Sequence, residues 1–185
     1  MVQDSLASLP SGNNFAVLFN GGVVWTVGDK LVGDQKYSPR EISVESVNGS
    51  EKNTYKWSSK KTKSHFVAES ERLFEWSAVT PNQIDEAVNY VETAEFVTGY
   101  CGLAHLEAAL AMEPDEIIYI TGHMPDDMMS DHKPLVSTAR RQNCIIHMFF
   151  ASDLVVNQEF TKIMNRAGGE LMRISNQGQK IEPLK

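Results

Sequence analysis

The chain has 185 residues, 42% of them hydrophobic and 22% charged, which suffices for one domain with a sizeable core. Its formal net charge of -7 at pH 7 argues against a nucleic-acid role or attachment to an anionic membrane, both of which need a basic face. Two cysteines, Cys101 and Cys144, give no disulfide framework, and no apolar run of ~18 residues offers a membrane span. The opening MVQDSLASLP lacks the charged and apolar regions of a signal peptide, so the default location is cytoplasmic.

In chain order, Val2, Leu6 and Leu9 share one helical face before the Pro10-Ser11-Gly12 break. Residues 15–19 (FAVLF) read as a buried strand, Asn20-Gly21-Gly22 as a turn, and residues 23–27 as the antiparallel return. Ile42, Val44 and Val47 alternate with polar residues, Asn48-Gly49 signals a hairpin turn, and residues 55–58 predict the returning strand of a polar β-hairpin. Lys60, Lys61 and Lys63 read as a solvated loop. Phe66, Val67, Leu73, Phe74 and Trp76 are apolar enough to cover an open sheet edge or to meet a partner.

Thr80-Pro81-Asn82-Gln83 is a helix start, with threonine as cap, proline in the first turn and Gln83 closing a capping box. Ile84, Ala87, Val88 and Val91 mark that helix's buried face, and Leu103, Leu106 and Leu110 mark the next. Glu113-Pro114-Asp115 then forms a tight turn, and residues 117–120 (IIYI) read as a strand buried on both faces of a parallel sheet. Beyond Thr121 a polar loop carries Gly122, His123, Pro125, Asp126 and Asp127 at the strand's carboxyl end, where open α/β sheets bind their ligands. Asp131 is positioned to cap a helix over 133–142, followed by a buried strand over 144–150. Asn157 is placed to cap a last helix striped by Phe160, Ile163, Met164 and Ala167, and Gly168-Gly169 ends it. A final strand spans 170–174, and the tail from 176 reads as loose. This alternation predicts one α/β domain over 1–185, a three-layer doubly wound architecture with a mostly parallel sheet and an antiparallel edge strand.

The stretch 100–127 resembles the middle of a von Willebrand factor A domain, in which a threonine loop, a helix, an "xPD" turn, a buried strand and a "TDGxPxD" loop follow in order. Here these correspond to Gly102 to Leu106, Glu113-Pro114-Asp115, residues 117–120 and residues 121–127. Residues 9–32 likewise resemble the family's end of helix one, strand two and strand three, which makes residues 34–76 an insertion. Aligned this way, the chain begins inside the family's first helix, and the central first strand has no counterpart. The resemblance implies a Rossmann-like fold and a metal-ion-dependent adhesion site built from Asp-x-Ser-x-Ser, a threonine and an aspartate. The threonine position holds Ala104, the aspartate position holds Gly122, and no Asp-x-Ser-x-Ser occurs, so the metal site is degenerate.

The leading expectation is a non-catalytic protein-binding module without cofactor or metal, recognising another protein chain through the loop of Gly122, His123, Asp126 and Asp127. That partner can supply a β-strand to the gap left by the missing first strand, and oligomers are one way to fill it. One alternative is a metal-dependent enzyme using His123, Asp126 and His132 from the 123–132 loop (HMPDDMMSDH), whose donors suit zinc but whose spacing matches no strong motif. Another is a structural subunit of a larger assembly. His105 and His147 read as packing histidines, Cys101 near His105 lacks a third orienting group, and no G-x-S-x-G, P-loop or G-x-G-x-x-G is present.

Overall fold

A computed structural model describes residues 2–20, 23–32, 41–46, 52–60, 63–68, 72–94, 104–121, 128–150, 165–166, 168–174 and 181–183. These fall into two compact units, 1–108 and 109–185, each taken by itself below.

The first unit opens with α1 (Val2–Ala7), whose Leu6 is buried against Phe15 and Ala87. β1 (Asn14–Phe15) pairs antiparallel with β8 (Ser77–Ala78). β2 (Leu18–Asn20) and β3 (Val24–Thr26) form the hairpin that Asn20-Gly21-Gly22 predicts, in the register Phe19↔Trp25. The apolar run 15–19 is thus divided between two sheets. α2 (Pro81–Thr93) starts as its sequence dictates, with Thr80 extended at φ -125° and its Oγ1 accepting from Gln83 N. Ala87 is buried, and Ile84 and Val88 pack against Leu6 and Phe15.

The inserted region corrects the expected lone hairpin. β4 (Lys30–Val32), β5 (Glu41–Glu45), β6 (Lys52–Lys60) and β7 (Lys63–Ala68) form a four-stranded antiparallel sheet in the order β4-β5-β6-β7. Lys60 and Lys63 are register partners of β6 and β7, so these two lie in paired strands and not in an open loop, while Lys61 lies outside the described residues. One sheet face is apolar: Ile42, Val44 and Tyr55 are buried with Val23 and Trp25 and are joined by Phe19, Leu31 and Tyr90. The opposite face carries Ser43, whose hydroxyl meets that of Thr54 at 3.3 Å.

The second unit holds a sheet in the order β12-β11-β10-β9. β9 (Glu116–Thr121), β10 (Ile145–Phe150) and β11 (Leu171–Ile174) are parallel, and β12 (Ile181–Pro183) is antiparallel on β11. The protein is therefore mixed α/β with a parallel three-stranded core here, but its other sheets are antiparallel, which corrects the expectation of one mostly parallel sheet. The tail is not loose throughout: Ile174 pairs with Ile181, since β11 otherwise ends the sheet. The expected helix over 157–167 lies outside the described residues except Asn165 and Arg166, which are helical and are followed by Gly168 at φ 77°.

α3 (Ala104–Ala111) leads into β9, and α4 (Met128–Gln142) leads into β10. Each ends on a left-handed residue, Glu113 at φ 54° after α3 and Asn143 at φ 57° after α4, so that the chain reverses directly into the strand. α4 begins well before the expected Lys133. Asp131 lies inside it and is no cap, and Pro134 is accommodated within the helix. Leu135, Val136 and Ala139 of α4 and Ile146, Met148 and Leu171 of the sheet are buried, and α4 packs on β10. No described helix is long and apolar enough to cross a membrane.

β9 departs most from its sequence reading. Ile118 is 46% exposed, and Ile145, on the same face of the sheet opposite Glu116, is 41% exposed, whereas a strand buried on both faces was expected. The cause is position: β9 stands at the end of its sheet order, with β10 as its one strand partner among the described residues.

Candidate functional site

Gly122, His123, Asp126 and Asp127, the candidate partner-binding residues, lie outside the described residues. What frames them is described: β9 ends at Thr121 and α4 starts at Met128, so the loop joins the carboxyl end of a parallel strand to the amino end of a helix. That is the position at which open α/β sheets carry ligands, and the helix end adds unpaired N–H groups. Ala104, at the family's threonine position, is the first residue of α3 and brings no side-chain oxygen. Of the alternative enzyme's trio, His123 and Asp126 fall outside the described residues and His132 belongs to α4. Among the described residues, no group of three or more His, Cys, Asp or Glu side chains gathers in a metal-holding arrangement.

The other sequence candidates resolve into packing and edge contacts. His105 is buried within α3. His147, on β10, accepts from Glu170 N through Nδ1 at 3.4 Å, and its Nε2 stands 3.6 Å from Glu116 Oε1. Cys144 is buried at the entry to β10, and burial, reinforced by the Asp115 and Glu116 carboxylates, pushes its thiol from 9.0 up to about 11. A thiol in that range is almost wholly protonated at neutral pH and is a poor nucleophile. Cys101 lies outside the described residues.

The densest polar arrangement is one that sequence reasoning missed. Asp29, in the turn between β3 and β4, has a side chain 1% exposed and receives a bidentate ion pair from Arg72, with Nη2 to Oδ1 at 3.0 Å and Nη1 to Oδ2. Thr26 N donates to the same carboxylate at 2.9 Å, and the Tyr90 hydroxyl donates to the Asp29 carbonyl at 2.6 Å. Burial, followed by the Asp29 charge, raises the Tyr90 phenol above its ordinary range. The Arg72 guanidinium also lies 5.0 Å from the centre of the Phe74 ring. A carboxylate that takes three donors while almost closed to solvent holds structure, tying the β3–β4 turn to Arg72.

This node fixes the strip between β7 and β8. Arg72 and Phe74 turn inward, while Leu73 at 79% exposure and Trp76 at 43% face solvent. The expectation that the aromatic-rich segment covers a sheet edge fails for Leu73, which is almost wholly exposed; Trp76 is part-exposed, Phe74 is half-buried beside Arg72, and the side chains of Phe66 and Val67 lie outside the described residues. The signal that could have found the node is the lone Asp29 between a glycine and a strand, but its partner is 43 positions away. A shallow open concavity along α2, lined by Asn82, Asp85, Glu86 and Asn89, is the solvated face of that helix.

Comparison with known proteins gives no relative: no family model, no curated protein and no solved structure matches the chain.

Proposed function

We propose that this chain is a non-catalytic protein–protein interaction module of the von Willebrand factor A type, with a degenerate metal site. The observation that carries the reading is the chain order α3, left-handed turn, parallel β9, α4, β10, with the polar sequence 122–127 falling between β9 and α4 and Ala104 at the head of α3 where a liganding threonine would stand. In this reading, 1–185 is one such domain, residues 34–76 are its insertion, and the loop of Gly122, His123, Asp126 and Asp127 meets the partner. Without a magnesium ion to bridge to a partner carboxylate, recognition rests on shape, aromatic contact and hydrogen bonds. The solvent-facing Leu73 and Trp76 are residue types suited to such contact, and the bare edge of β9 favours, as a second reading, a subunit of a larger assembly.

Thermal melting of the full chain with low-millimolar magnesium or manganese, with and without chelator, tests the degenerate site. The expected outcome is an unchanged melting temperature, in the native chain and in the double variant Ala104→Thr, Gly122→Asp, because hard cations need several oxygen ligands and the Asp-x-Ser-x-Ser set is missing. A rise of several degrees that chelation abolishes would refute it.

A further inference from the structure

The edges of the described sheets differ in how they are protected. β4 carries Lys30, β7 carries Lys63, and β12 ends in Pro183, all devices that discourage edge-to-edge pairing. β9 carries one charge, Glu116 at its first position, and no lysine or proline, and the rest of it reads Ile117, Ile118, Tyr119, Ile120, Thr121. The parallel register with β10, in which Ile145 N donates to the Asp115 carbonyl at 2.9 Å, turns the backbone groups of residues 117, 119 and 121 toward β10. Those of Glu116, Ile118 and Ile120 consequently point outward, and those of Ile118 and Ile120 take no partner among the described residues.

We propose that β9 is a self-association site, pairing antiparallel with β9 of a second copy about a two-fold axis through Ile118. An antiparallel ladder requires outward-facing residues to meet outward-facing residues on the same side of the sheet, and a two-fold at Ile118 does this for every position: Ile118 meets Ile118 of the second copy, and Glu116 meets Ile120. Each such pair exchanges both backbone hydrogen bonds. Charge selects the same register. Each chain carries a formal -7, so a like-charge contact at the seam would be repulsive, and here each Glu116 faces an isoleucine and not its own copy. The pairing also covers Ile118, the most exposed apolar side chain described in the second unit, and extends the buried row of Tyr119, Ile146, Met148 and Leu171 across the seam. The surface is distinct from the 122–127 loop, so loss of one leaves the other testable.

Sedimentation of the full chain from micromolar to sub-millimolar concentration provides the test. The native chain is expected to pass from monomer to dimer, more readily at high salt, because screening relieves the repulsion between two acidic chains. Ile118→Lys places two ammonium groups face to face at the two-fold and is expected to weaken association by roughly tenfold or more. Ile145→Lys, the same change on the same face but one strand inward, is expected to leave it intact, and melting temperatures establish that both variants fold. A dimer that survives Ile118→Lys, or one weakened equally by Ile145→Lys, would overturn the proposal. So would a native chain that stays monomeric throughout. In that case, amide exchange at Ile118 and Ile120 identifies the occupant: protected amides mean a segment of the same chain covers β9, and open amides leave it to a different protein.

Discussion

β5 and β9 have exchanged the environments that their sequences suggest. β5, EISVE, reads as half of a polar hairpin, yet Ile42, Ser43 and Val44 are all buried, with Ile42 at 0% exposure. β9, EIIYIT, is the more apolar strand, yet Ile118 stands 46% exposed. The difference is one of neighbours. β5 is flanked by β4 and β6, while β9 is paired on one side among the described residues. Hydrophobicity says what a strand can bury, and sheet order decides what it does bury.

The largest effect is expected where β10 and β11 approach each other. A Cβ on Gly169 would overlap the backbone carbonyl of Ile146, which cannot swing aside as a side chain can. Gly169→Ala should cost at least about 3 kcal/mol, read as a lower denaturation midpoint. A near-native midpoint would mean that the strands stand farther apart than described.

Next in size is the direct contrast between the two strands. Ile42→Ala removes a fully buried side chain and should cost about 2–5 kcal/mol, whereas Ile118→Ala in dilute, monomeric protein should cost under about 1 kcal/mol. Equal losses in chemical denaturation would erase the comparison.

Smaller still is the pH effect of Cys144. Its thiol is raised from 9.0 to about 11, so the folded state holds the proton that the unfolded chain releases, and this contribution is full below pH 9 and lost as pH rises through 11. Alkaline melting curves should fall less steeply over that window in Cys144→Ala. At neutral pH the native thiol should react slowly with disulfide reagents in a Cys101→Ser background, and fast labelling would place it at the surface.

How much of this was legible depended on whether the determining residues were local. The start of α2 could be placed to the residue because Thr80, Pro81 and Gln83 are its own start signals, and the β2–β3 hairpin because Asn20-Gly21-Gly22 supplies its turn. β7 was missed because Lys61-Thr62 carries no such turn signal, and the start of α4 because Pro134 and Asp131 imitate a beginning inside a continuing helix. The Asp29–Arg72 node was invisible because its halves lie on separate segments, joined only after the inserted sheet has folded back. For the candidate loop, sequence supplied the residues and the structure supplies its frame, Thr121 and Met128.

The most direct test of β9 as an open edge is residue-resolved amide hydrogen exchange at a concentration low enough to keep the chain monomeric. The ladder to β10 engages the amides of Tyr119 and Thr121 and turns those of Ile118 and Ile120 away. Alternating protection along β9, slow at 119 and 121 and fast at 118 and 120, is the predicted result, while β5 should be protected at each of Ser43, Val44 and Glu45, where β4 and β6 both flank it. Uniform slow exchange along β9 in the monomer would contradict the account.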